Sequence, residues 1–124
     1  MIGVLTHHWA KSDKVEEAKN LLDGNGLAQS KALGYGHRLT FISQEDPTKI
    51  STLVTWDSNE IYDAWRASPE RATAMHGAAE LWSKPAESER FEMADYRPVN
   101  RRRSWPSEVF GLGVTSQMNP PPSR

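Results

Sequence analysis

The sequence predicts an α+β fold, a ferredoxin-like split βαββαβ domain built on a four-stranded antiparallel sheet. Three observations carry that prediction. Segments 1–9, 35–43 and 50–56 have the alternation or β-branched content of strands. Segments with helical spacing, opened by capping residues, lie between them and after them. The turn Glu45-Asp46-Pro47-Thr48-Lys49 joins the second and third strands directly, as a hairpin. The resulting order, with a last strand near Phe91, is that of the split βαββαβ motif.

Taken in order, Met1 to Trp9 reads as a strand with Ile2 and Val4 on one face and Leu5 and Trp9 on the other. Asp13 and Glu16 stand at the spacing of a reciprocal cap, and Val15, Ala18, Leu21 and Leu22 supply the helical stripe that follows. Asp23-Gly24-Asn25-Gly26 is expected to break or end that helix, with a resumption over 27–33 and Gly34 as its C-terminal cap. Asp57 and Glu60 read as the cap of a short helix carrying Ile61, Ala64 and Trp65 on one face. Ser68 then caps a further helix with Pro69 in its first turn and Ala72, Met75, Ala79 and Trp82 at helical spacing. Phe91 to Tyr96 is the expected fourth strand.

Helices cover one face of such a sheet. Apolar residues on the opposite face therefore call for another partner, and a second copy of the same sheet is the economical one. With 124 residues the chain suits one domain, expected over 1–97, followed by a tail over 98–124 that is part docked, part linker. In that tail the run Arg101-Arg102-Arg103 and the closing prolines look like linker, whereas Trp105 to Val114 carries enough apolar surface to dock.

The formal charge of −1 gives no global field that would draw nucleic acid or an anionic membrane. The lack of cysteine excludes disulfides, thiolate metal sites and a cysteine nucleophile together. No apolar run approaches the roughly 20 residues of a membrane span, and no signal-peptide pattern opens the chain, so a cytoplasmic protein is the expectation.

Trp56, Ser58, Glu60, Tyr62, Trp65 and Ser68-Pro69 resemble the signature of the antibiotic biosynthesis monooxygenase family, of the dimeric α+β barrel superfamily. The likeness extends to the first strand, to the Gly34-Tyr35 turn and to the strand near Phe91, roughly residues 1–97. It implies a homodimer whose two sheets close a barrel. It also implies a cavity between helices and sheet that takes a planar aromatic small molecule. The activity implied is that of a small monooxygenase oxidising an aromatic or polyketide-like substrate without a cofactor. Two alternatives stand beside it: a haem-binding, haem-degrading enzyme, and a small-molecule binding or stress-response module with no turnover.

Candidate site residues follow. His76, spaced to face inward from the third helix, is the candidate catalytic base or axial haem ligand. Haem-degrading relatives place a histidine on this helix, but in this chain the matching position holds Met75, and His76 is displaced from it by one residue, about 100°. Those relatives also use an asparagine in the first strand where this chain has Thr6. Trp65 and Tyr62 are candidates to pack a substrate ring, Trp65 being equally readable as core filling. Of His7 and His8 one must face the helix-side cavity and the other the opposite side; His7, His37 and Arg38 complete the substrate-binding set, with Arg38 steadying an anionic group. No three ligands converge at short spacing, so no metal is expected.

Overall fold

The computed structural model describes residues 1–97, and the tail reading, including docking of Trp105 to Val114, lies outside the described residues. Strand β1 (Ile2–Ala10) is followed by helix α1 (Val15–Gln29), strands β2 (Tyr35–Ile42) and β3 (Lys49–Trp56), short helices α2 (Asn59–Arg66) and α3 (Pro69–Ala74), a 3₁₀ turn (Ala78–Glu80) and strand β4 (Trp82–Glu92). The strands form one antiparallel sheet in the order β2-β3-β1-β4. This is the expected ferredoxin-like layout, and all of these elements fall in one compact unit, Met1–Met93.

Register divides the sheet into two faces. Ile2, Val4, Thr6, His8 and Ala10 of β1 share the helix-covered face with Ile50, Thr52, Val54 and Trp56 of β3, their antiparallel counterparts. Two apolar clusters close the ends of that face. One joins Ile2, Val4, Val54, Trp56 and Trp65; the other joins Ala10, Ala18, Leu22 and Ile50. Between them β1 and β3 place Thr6, His8 and Thr52, which cannot fill space as leucines would. The core is thus split, with a polar floor at its middle. On the opposite face the apolar side chains of Leu39, Phe41 and Phe91 are exposed.

Several boundaries differ from expectation, each for a physical reason. Helix α1 does not break at Asp23–Gly26; it runs unbroken to Gln29, with Asn25 and Gly26 buried on its inner face. Tertiary packing overrides the local turn preference there. Its N-terminus is not capped by Asp13: Lys14 holds the cap position with no side-chain hydrogen bond. At α2 the cap is Ser58, not Asp57, with Ser58 Oγ accepting from the Ile61 N–H at 3.1 Å. Ser68 caps α3 as expected, accepting from the Arg71 N–H at 3.1 Å. Replacing either serine by alanine is expected to cost about 1 kcal/mol, read as matching drops in the urea midpoint with an unchanged slope.

The third helix is shorter than its spacing suggested. It stops at Ala74, and Gly77 turns the chain in the left-handed region at φ +82°. Strand β4 in turn begins at Trp82, well before Phe91. Its first half is polar and contains Pro85, which hides it from pattern reading, yet β4 is an edge strand where a proline costs no ladder bond. The register slips between His7 and Trp9, so Pro85 and Ala86 both stand opposite the His8 region in a bulge.

Candidate functional site

A cavity of about 470 Å³ occupies the space between the sheet and the helices. Its floor is Val4, Thr6 and His8 of β1 with Thr52 and Val54 of β3. Trp65 and Tyr62 of α2 form an aromatic wall, and α1 contributes Leu22, Asn25 and Gln29 on the other side. Trp65 is 5% exposed and stacks on the fully buried Trp56, ring centroids 6.0 Å apart at 26°. It is therefore cavity wall and core at once, and the two readings of its sequence position merge. Tyr62 packs at 5.7 Å from Trp56 on one side and under the Arg90 guanidinium at 4.8 Å on the other.

The charged groups in the lining are all cationic. Arg38, Arg66, Arg71 and Arg90 line the cavity, and no aspartate or glutamate does among the described residues. Arg90 is committed elsewhere, donating to Asp63 at 2.6 Å and to Asn59 at 3.1 Å. Arg38 lies against α1, donating from Nη1 to Gln29 Oε1 at 2.7 Å and from Nη2 to the Leu22 carbonyl at 2.8 Å. Burial lowers its pKa from the ordinary value, opposed by Tyr35 and Asp23, but an arginine stays charged at neutral pH. Gly26 makes this placement possible: a Cβ there would stand 2.5 Å from Arg38 Nε.

The histidines sort by strand parity. His8 faces the cavity, its ring 5.1 Å from that of Trp82. Its pKa is lowered to about 4, first by burial and then by the charges of Arg38 and His7. His7 points to the other face of the sheet, where Nδ1 shares a 2.6 Å hydrogen bond with Ser51 Oγ. The expected inward partner of the pair is thus His8. His37, on the exposed face of β2, is anchored through its backbone N–H to Thr55 Oγ1 at 2.8 Å and does not line the cavity. His76 is corrected in position as well. Because α3 ends at Ala74, His76 stands in an exposed turn outside the lining, which its neighbour Met75 reaches instead.

Of the residues singled out from sequence, the fold brings Trp65, Tyr62 and Arg38 together and leaves His7, His37 and His76 apart. Asn25, Gln29 and His8 join the site without having been counted in it. The signal for the first two was present, since Ala18, Leu22, Asn25 and Gln29 continue one helical stripe through the supposed break.

His8 sets a pH dependence of stability. The unfolded chain takes up a proton near pH 6.5 while the folded chain resists until about 4. The unfolded state therefore binds more protons between those values, and stability rises with pH across them. It is fully present above about 6.5 and declines by about 3 kcal/mol toward pH 4. Thermal melts between pH 7.5 and 4.5 should show this slope, and His8→Gln should flatten it.

No family model and no curated protein matches the sequence. Solved structures do match its fold. Rv0793 from Mycobacterium tuberculosis superposes with a TM-score of 0.70 at 16% identity, covering 78% of this chain and 98% of its own. A structure described as an antibiotic biosynthesis monooxygenase gives 0.69 at 12% identity, covering 77% of this chain and 100% of its own. SnoaB, a cofactor-independent oxygenase from Streptomyces nogalater, gives 0.69 at 9% identity over 79% of this chain and 97% of its own. The resemblance of the Trp56 to Pro69 segment thus extends to the whole fold, and the chain has the ferredoxin-like fold of the antibiotic biosynthesis monooxygenase-type proteins.

Proposed function

We propose that the protein is a small, cofactor-independent oxygenase that oxidises a planar phenol or enol with dioxygen and works as a homodimer. The observation that carries this reading is the cavity itself: an aromatic wall of Trp65 and Tyr62 beside the half-buried cation Arg38, with no carboxylate in the described lining. A flat ring packs on the indole, and its ionised oxygen sits at Arg38. Such a substrate supplies its own electrons. A ring methylene flanked by phenol rings becomes a carbonyl as dioxygen is reduced, one oxygen ending on carbon and the other leaving as water. The protein contributes orientation, exclusion of water and a charge that favours the anion. The fold shared with SnoaB supports the same assignment.

Magnitudes decide the role of His8. A phenol with a pKa near 10 is about six decades less acidic than an imidazolium near pH 4, so proton transfer to His8 is uphill on the order of 8 kcal/mol. His8 is therefore a neutral hydrogen-bond partner, and the substrate enters already ionised, favoured by Arg38. His76, in its exposed turn, is too poorly placed to serve as a base within the cavity or as an axial haem ligand there. The residues present do not fit haem held by His76. The exposed apolar face with Leu39, Phe41 and Phe91 is the proposed dimer surface.

An oxygen electrode tests the activity. With anthrone- or quinol-type substrates, uptake of one dioxygen per substrate should accompany the spectral change, and kcat/KM should rise with pH toward the substrate's pKa. Saturable binding of those compounds with no oxygen uptake would instead make the chain a binding module.

A further inference from the structure

Helix α1 keeps residues that oppose helix formation. Gly24, Asn25 and Gly26 lie in its interior, yet the helix is unbroken. Its inner stripe changes character at the same point, from Ala18 and Leu22 to Asn25 and Gln29. Asn25 is 7% exposed and Gln29 is 5% exposed, and both line the cavity. Gln29 is committed to Arg38 through its Oε1. Asn25 is not: its Oδ1 is buried with no hydrogen-bond partner among the described residues. Such an acceptor loses its bonds to water and gains none, so leucine would serve the fold better at this position. Trp56 Nε1 is also buried and unpaired, but Trp56 is absent from the cavity lining and cannot be reached from there.

The unpaired acceptor stands beside a fixed cation. Arg38 spans the helix from the Leu22 carbonyl to the Gln29 side chain, and Asn25 lies between those two contacts on the same helix face. We propose that this polar end of the cavity recognises a ligand edge bearing an ionised oxygen next to a hydroxyl, Arg38 taking the oxyanion and Asn25 Oδ1 accepting from the hydroxyl. That pattern belongs to ortho-hydroxy carboxylates and to singly ionised vicinal diols of aromatic rings. A neutral hydrocarbon edge or a lone carboxylate leaves Asn25 Oδ1 as it stands in the empty cavity, so the hydroxyl-bearing ligand is preferred by the bond it adds. The inference deepens the reading of the cavity as a site for a planar small molecule and depends on it, but it does not depend on turnover.

Binding measured under argon, so that no oxidation intervenes, tests it with two ligand pairs. The first pair is 3-hydroxy-2-naphthoate against 2-naphthoate. The second is singly ionised 2,3-dihydroxynaphthalene against 2-naphtholate. In each, the wild-type protein should favour the hydroxyl-bearing member about tenfold, equivalent to 1.4 kcal/mol. Asn25→Leu should erase that preference, the two members of each pair then binding equally. A preference within one pair alone identifies which of the two chemistries the site takes. Equal affinities within both pairs in the wild type overturn the proposal, and that measurement needs no variant. A preference that survives in Asn25→Leu overturns it too. If the preference is present but no oxygen is consumed in air, the oxygenase reading fails and this one stands. If oxygen is consumed without any preference, the reverse holds.

Discussion

Trp65→Ala should lower stability by about 3–5 kcal/mol and abolish ligand binding, whereas Trp65→Phe should keep the fold and weaken binding. The size of the effect follows from what the ring holds. Trp65 is 5% exposed and stacked on Trp56, which is 0% exposed and packed edge-on against Tyr35 at 5.9 Å. Removing the indole leaves a gap against the buried face of Trp56, which close-packed neighbours relax into only partly. A domain of this kind has roughly 5–15 kcal/mol in total, so the loss is a large fraction of it. Helix α2 has eight residues, too few to persist without its buried side chain. When α2 lifts, Tyr62 and Arg66 leave the cavity with it. Phenylalanine preserves a flat apolar face and most of the contact, so it separates the wall of the cavity from the survival of the helix. Denaturant titration of both variants, followed by ligand titration of Trp65→Phe, checks the two halves independently.

Much of this architecture was legible from residue patterns because each relevant segment had one dominant signal. Alternation fixed β1 and β2, β-branching fixed β3, and Ser68-Pro69 fixed the start of α3. Where two signals competed, the local one misled. Asp23-Gly24-Asn25-Gly26 has strong turn preferences, but burial of Ala18 and Leu22 on one side and Gln29 on the other holds the helix through it. Strand β4 lacks apolar alternation because it is an edge, and its pairing with β1 comes from backbone bonds that composition does not encode. His8 was hidden by ambiguity of a different kind. Strand β1 carries apolar residues on both faces, so alternation required one histidine inward without saying which. Burial of Ile2, Val4 and Ala10 answers it, since His8 shares their parity. The position of His76 depended on where α3 stops, and Gly77 at φ +82° is the residue that decides it.

Gly26→Ala should cut affinity for an anionic ligand about 10- to 100-fold at a cost in stability of about 2–5 kcal/mol, and the same loss of affinity should appear in Arg38→Met. The two substitutions act on one object. A methyl group at position 26 would meet Arg38 Nε at 2.5 Å, Cδ at 2.7 Å and Cζ at 3.0 Å, so something must move. The backbone of α1 is pinned by its buried stripe, and the guanidinium is the free end of a long side chain. Arg38 therefore yields, giving up its bonds to Gln29 Oε1 and the Leu22 carbonyl. Those are charge-assisted bonds, worth roughly 1.5–3 kcal/mol each when intact. Against them stands the gain of about 1 kcal/mol from alanine over glycine inside a helix, which leaves a net cost of about 2–5 kcal/mol. The fold weakens but persists, and the aimed cation is lost. Arg38→Met reaches the same functional end by removing the charge, at the cost of leaving Gln29 Oε1 without its donor. If the two act through one guanidinium, their effects on anion affinity cannot add: Gly26→Ala in an Arg38→Met background should change nothing further. Full additivity in that cycle would mean that Gly26 serves the helix alone and that the cation's position is immaterial to the ligand.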